Sequence, residues 1–307
     1  MIASIFSKSK SINFVVAFII TLLAFIMARL NIEWHQVTFA FVLKQLFMLF
    51  MCYFTILIAH FIVLKNKLVE QNNLDVLIFS LFFLLFVNTT SNQNILLSNI
   101  FVLLGLRRIL SLKSVKNTNS KLFDSGFWIA LAVLFYFWSI LFFVLVIIGS
   151  VLHNGNNLKY YLVPLLGIAS VFVIGTALSV ILYDDFFSIF NINPKINYDF
   201  SSYNSARYLI AITLFFSFGI WASLFYVNHI KNRKKASKAS IKLIFTTASI
   251  ALVIIIISPQ KAGSEFLFSF APLTIIMANY IASIQEKWFK EVFLCVLVLL
   301  PFILLLL

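Results

Sequence analysis

Runs of about twenty apolar residues, the length of a membrane helix, recur from one end of this chain to the other. They leave little choice of fold. Of the 307 residues 62% are hydrophobic and only 11% are charged, too few charges to cover a water-soluble surface. Spanning β-strands would alternate apolar and polar residues over about ten positions, and these runs are continuous. The expectation is an all-α fold: a polytopic transmembrane helical bundle with about 9–11 membrane segments. Residues 1–307 are read as a single integral membrane domain.

The candidate spans are 12–29, 46–64, 74–89, 94–106, 127–151, 160–183, 208–230, 241–258, 265–283 and 292–307. The first follows Lys8 and Lys10 as a signal peptide would, but no small-residue cleavage site follows it, so it reads as a retained span. Two spans are short. Segments 74–89 and 94–106 flank an uncharged polar turn, Asn88 to Asn94. They read either as two short crossings or as a hairpin lining a cavity, where irregular backbone is tolerated at depth.

The net charge of +13 belongs to the loops. Positive-inside bias and anionic lipid headgroups account for it, and nucleic acid is not expected as a partner. Two loops are strongly basic: Arg107, Arg108, Lys113, Lys116 and Lys121, then Lys231, Arg233, Lys234, Lys235, Lys238 and Lys242. Both should face the cytoplasm, yet three apolar runs lie between them, which would put them on opposite sides. One change of crossing parity between Lys121 and Lys231 removes the conflict. An odd number of crossings and an external C-terminus follow. Loop 184–207 and turn 259–265 would then share the outer face.

Only ten residues are acidic, and none sits mid-run. Ion-coupled transporters usually need an intramembrane carboxylate, so secondary transport is disfavoured. Asp184 and Asp185 end an apolar helix at the membrane surface. Such a pair can act as general base, or hold Mg²⁺ or Mn²⁺ against a phosphate, and equally can be a solvated stop to the helix. Glu265 is the third candidate catalytic carboxylate. Lys195, Arg207 and Lys261 are candidate grips for a lipid phosphate, and Arg107 and Arg108 for headgroups. Asp75 and Asp124 read as helix caps, His60 as a packing histidine, and Lys44 as a snorkelling cation. Glu33 and His35 flank Trp34, which is not a helical ligand spacing, and no metal site is expected. Gly167, Gly175 and Ser179 share one helix face, as small residues do where helices approach closely.

The stretches Met1 to Lys10, Asn99 to Ile109 and Lys121 to Trp128 resemble an uncharacterised family of Phe-rich inner-membrane proteins of Bacteroidota. The likeness covers the whole chain and implies the bacterial cytoplasmic membrane, but no activity. A looser likeness is to multi-spanning polyprenyl-phosphate-dependent glycosyltransferases. Those carry an acidic residue in a long first external loop; here the loop is short and offers only Glu33. The leading expectation is a non-catalytic subunit or scaffold of an envelope assembly, with other membrane proteins as partners. It rests on the lack of motifs and of buried polar residues. The alternative is a lipid-handling enzyme at the outer face, working through Asp184, Asp185 and Lys261.

Overall fold

The structure, a computed structural model, describes residue 6 and residues 10–30, 38–69, 72–114, 116–154, 158–190, 194–230 and 235–305. Glu33, Trp34, His35, Lys231, Arg233 and Lys234 lie outside the described residues. Among those described there are eleven α-helices and no strand. They are α1 (Ser11–Met27), α2 (Phe39–Asn66), α3 (Leu74–Leu85), α4 (Gln93–Leu110), α5 (Thr118–Phe135), α6 (Phe143–Asn154), α7 (Lys159–Tyr183), α8 (Ala206–Ile230), α9 (Lys235–Ile257), α10 (Leu267–Ser283) and α11 (Lys287–Leu304). Six helical stretches are long and apolar enough to cross a membrane, and Ser11–Met27, Leu74–Leu85 and Phe137–His153 are shorter apolar ones. The chain forms two compact units. Unit 1 holds residues 1–96, 199–233 and 261–307; unit 2 holds 97–198 and 234–260.

Unit 1 is built round α3. All twelve of its residues are buried, because α1, α2, α10 and α11 pack against it. Twelve residues rise only about 18 Å, well short of ~30 Å of hydrocarbon. The chain makes up part of the difference with a 3₁₀ turn, Val87–Thr90, at the inner edge of the polar segment. Irregular backbone is tolerated there because protein surrounds it. The threonines close the turn on themselves: Thr89 Oγ1 donates to Phe86 O at 2.6 Å, and Thr90 Oγ1 to Val87 O at 2.9 Å. An aromatic cluster fixes α3 against α8 and α10. Phe82, Phe86 and Phe270 surround Phe215, and Phe86 stacks on Phe266 at 4.3 Å.

Unit 2 corrects one span. Run 127–151 is two elements, not one crossing. Helix α5 stops at Tyr136, which is extended (φ −147°, ψ 109°); a 3₁₀ stretch, Phe137–Phe142, and α6 follow. Tyr136 donates to Ser258 Oγ at 2.9 Å, just past α9, and Trp138 Nε1 donates to Lys195 O at 3.3 Å. The C-terminal ends of α5 and α9 therefore meet at one end of unit 2. At the other end Arg108 pairs with Asp124 at 2.9 Å, and Gly149 of α6 packs on Ile109. Thus α5 leaves that end and α6 returns to it. A side chain of α4 bridges the break: buried Ser98 Oγ donates to Ala132 O at 3.0 Å and shares a 2.6 Å hydrogen bond with Ser139 Oγ.

A hairpin here is one way to obtain the parity change that the loop charges call for. Labelling of single cysteines, in a background lacking Cys52 and Cys295, checks it. Asn117→Cys and Lys159→Cys should react from the same side of the membrane, and Lys195→Cys from the other. Opposite labelling at 117 and 159 would mean that run 127–151 crosses once.

Close approach in unit 2 follows the small residues. Gly167 faces the backbone of Phe123 and Phe127, and Gly126 faces that of Pro164, so α5 and α7 touch main chain to main chain. Gly175 lies under the Phe190 ring, and Ser179 Oγ accepts from Ile189 N at 3.3 Å. The lower part of the stripe thus seats the segment after α7 rather than another helix.

Candidate functional site

The polar turn Asn88 to Asn94, carried above as a cavity-lining alternative, does line a cavity. About 510 Å³ of space opens at this end of unit 1, bordered by Lys44, Met48, Asn88, Ser91, Asn92, Gln93, Asn94, Ala262 and Ser264. Each wall has a structural reason. Helix α2 starts at Phe39, capped by Thr38 Oγ1, which accepts from Phe41 N at 3.2 Å. That start puts Lys44 in the second turn, exposed at the mouth of the cavity. Asn92 Oδ1 accepts from the N–H groups of Asn94 and Ile95 at 3.1 and 3.2 Å, an N-cap that begins α4. Asn88 Nδ2 donates to Tyr208 Oη at 2.8 Å and to Ala262 O at 3.1 Å, and Tyr208 itself donates to Ala262 O at 3.1 Å. Gly263 makes that junction possible. Its φ of +86° suits glycine, and a Cβ there would fall 2.9 Å from the Tyr208 ring.

Arg29, just past α1, ties α1 and α2 to the polar turn. Nε donates to Gln45 Oε1 at 2.6 Å, Nη1 to Phe25 O and Thr90 Oγ1 at 3.0 Å each, and Nη2 to Thr90 O at 2.9 Å. The guanidinium also lies 3.4 Å from the Phe25 ring centroid. Burial lowers its pKa to about 10, which leaves it charged at neutral pH. Most of its donors are committed, so Arg29 positions the turn rather than gripping a ligand.

Behind the cavity, one residue on from Ser264, is Glu265. It is fully buried, and its polar neighbours are the backbone N–H groups of Ala262, Gly263 and Glu265 itself rather than any side chain. Lys261 is buried beside it in sequence, its Nζ 4.6 Å from the Phe200 ring centroid, and burial pulls its pKa below the usual lysine range. Arg207 is half-buried, and its Nη2 is buried without a partner. The structure therefore brings Arg207, Lys261 and Glu265 into unit 1.

Asp184, Asp185, Lys195, Arg107 and Arg108 belong to unit 2. Asp184 is the left-handed cap of α7 (φ 54°). Asp185 is fully exposed and accepts from Ser188 Oγ at 2.6 Å, a bond that holds its pKa below the usual carboxylate value. Lys195 is exposed, and its carbonyl receives Trp138. Arg108 is paired with Asp124, which lies inside α5 and is not a cap; Arg107 is half-buried. Among the described residues no three His, Cys, Asp or Glu side chains gather, so the residues present do not form a protein cage for Mg²⁺ or Mn²⁺.

Two other readings change. Asp75 is not simply a cap: it is buried and meets His60. With Glu265 it makes two buried carboxylates, each at the start of an apolar helix and neither in the middle of one. Sequence reasoning gave Arg29 and Tyr208 no role and met Asn88 only as the first residue of the polar turn. The one available signal was a polar turn without charge between two short apolar runs.

No curated protein and no solved structure matches the chain. Residues 1–306 match a family of unknown function, DUF6427, and the chain belongs to that family.

Proposed function

We propose that unit 1 binds the polar head of a membrane amphiphile at the outer face of the bacterial cytoplasmic membrane, as a lipid-handling enzyme would. The carrying observation is the cavity of about 510 Å³ walled by amides and hydroxyls, with Lys44 at its mouth and the buried Glu265 next in sequence to its Ser264 wall. Amide groups offer paired donors and acceptors suited to hydroxyl-rich heads. Lys44, Lys261 and Arg207 favour a phosphate. A polyprenyl phosphate or its glycosylated form has both features. Glu265 is the residue suited to serve as general base for an acceptor hydroxyl. Helix α4 separates the polar turn from Arg107 and Arg108, so a cytoplasmic basic loop puts the cavity outside. Within this reading Asp184 and Asp185 keep the plainer of their two roles, a charged end to α7 at the headgroups. The scaffold reading keeps one of its two supports, the lack of motifs, and not the other, the lack of buried polar residues.

Native mass spectrometry of purified protein mixed with polyprenyl phosphate tests the proposal. Lys44→Ala combined with Asn88→Ala should reduce bound lipid phosphate about tenfold, equivalent to ~1.4 kcal/mol. Asp185→Asn should leave it unchanged. Equal occupancy in wild type and the double variant would refute the proposal.

A further inference from the structure

After Tyr183 the chain turns back on itself. Asp184 takes the left-handed conformation (φ 54°) and reverses its direction. Ile189 N then donates to Ser179 Oγ at 3.3 Å. The Phe190 ring packs on Phe172, with centroids 5.3 Å apart, and lies over Gly175. Along the helix Ser179 and Gly175 are about 6 and 12 Å back from Tyr183. Residues 185–190 therefore run back along the flank of α7. That helix is one of the six long and apolar enough to cross a membrane. Its 25 residues rise about 37 Å, more than the ~30 Å of hydrocarbon, so its ends stand in the interfacial region. Lys159, Tyr160 and Tyr161 begin it and Tyr183 closes it, the residue types that settle at both membrane boundaries. The returning chain thus lies at one boundary, with the Phe190 ring reaching below it.

The outward side of this fold-back is apolar. Phe186 and Phe187 are 65% and 61% exposed, and Ile181, Leu182 and Tyr183 at the end of α7 are exposed as well. A contiguous apolar surface of this kind marks something that covers it. Two features point to lipid. The first is the closure of the main chain. The N–H groups of Phe186, Phe187 and Ser188 turn to the Asp185 carboxylate, Ile189 N donates to Ser179 Oγ, and Phe190 N donates to Phe187 O at 2.9 Å. A loop in water can leave its donors to the solvent, whereas irregular backbone at a lipid boundary must satisfy them internally. The second is the separation of charge from ring surface. Asp184 and Asp185 stand together at the turn, and residues 186–190 carry no charge. Their one polar side chain, Ser188, donates to Asp185 Oδ2 at 2.6 Å. Charge on one side and large apolar side chains on the other is the arrangement that settles at the boundary of headgroups and acyl chains.

We infer that residues 184–190 form an interfacial anchor whose partner is the bilayer itself. The side chains of Phe186, Phe187 and Phe190 insert among the acyl chains of one leaflet, and Asp184 and Asp185 stay level with the headgroups. The anchor fixes the depth at which α7 sits. Gly175 is what lets it close, because a Cβ there would fall 2.9 Å from the Phe190 ring. Loop 184–207 is therefore not aqueous throughout: its first part belongs to the membrane surface. The anchor is in unit 2 and does not require the head-binding proposal for unit 1.

The test uses the full-length protein in phosphatidylcholine vesicles, with a nitroxide label on Phe187→Cys in a background lacking Cys52 and Cys295. Collisions of the label with oxygen, which concentrates in hydrocarbon, are compared with collisions with a water-soluble nickel complex. The label at 187 should prefer oxygen, at a depth of about 5–10 Å into the boundary of headgroups and acyl chains. A label on Ile174→Cys, exposed near the middle of α7, should prefer oxygen more strongly, and one on Ser202→Cys, exposed outside the long helices, should prefer nickel. Phe190→Ala should shift the label at 187 toward water. A label at 187 that prefers nickel would overturn the inference, since the segment would then be an aqueous loop. A label shielded from both reagents would also overturn it, since a second copy of the chain would then cover the patch. An unmoved label in Phe190→Ala would equally overturn it, because the ring would not be what seats the segment.

Discussion

Valine in place of Gly126 should prevent α5 and α7 from packing, and unit 2 should fail to assemble. A Cβ at 126 would strike the carbonyl oxygen of Pro164 and lie 2.9 Å from its carbonyl carbon. The partner position is just as tight: a Cβ at Gly167 would strike the carbonyl oxygen of Phe123 and lie 2.7 Å from Phe127 N. These obstacles are backbone, so no side chain can swing aside. Overpacking costs about 1–3 kcal/mol in ordinary cores and more where nothing gives. Helices in lipid associate through such packing, because lipid tails are as apolar as leucine. We therefore expect Gly126→Val to cost at least ~3 kcal/mol, read as lost yield and earlier unfolding in mild detergent. Gly219→Ala is the matched control. Its Cβ would sit 3.4 Å from the Leu273 side chain, an ordinary contact, and stability should barely move. Wild-type unfolding for Gly126→Val would contradict the main-chain contact.

Phe270→Ala should weaken unit 1 nearly as much. The ring is fully buried in α10, with centroids of Phe79, Phe82, Phe83, Phe86 and Phe215 between 5.4 and 6.2 Å away. Five neighbours, four from α3 and its C-cap and one from α8, leave no single side chain able to fill the space. Phe→Ala changes of this kind cost about 3–5 kcal/mol. The consequence reaches the cavity, because Phe86 leads directly into the Val87–Thr90 turn and stacks on Phe266, next to Glu265. Bound lipid phosphate should therefore fall together with stability, whereas Phe270→Leu should retain most of both. A Phe270→Ala protein within ~1 kcal/mol of wild type would show that the cluster is looser than described.

Continuous apolar runs made the helical membrane fold legible, because period and length alone decide it. Loop charges raised a conflict of parity, since Lys and Arg record sidedness. They could not locate it. The break at Tyr136 lies within Phe135-Tyr136-Phe137-Trp138, with no proline or glycine to mark it, and is bridged by Ser98 bonding to Ser139, 41 positions on. The candidate site divided in the same way. Glu265, Lys261 and Arg207 could be picked out because charges are scarce. Asp184 and Asp185 attracted notice by adjacency, which carries no information about burial. The pairing of His60 with Asp75 joins two helices, so neither residue's local pattern announces it. Arg29 looked like the end of a span; its role is visible only once Thr90, 61 positions away, lies beside it.

The most direct test is native mass spectrometry of the wild-type protein drawn gently from its own membrane. The account predicts one chain with a phosphate-bearing lipid retained, and loss of that lipid in the Lys44→Ala, Asn88→Ala variant. A stoichiometric second protein, with lipid binding indifferent to those two residues, would contradict it and return the scaffold reading to first place.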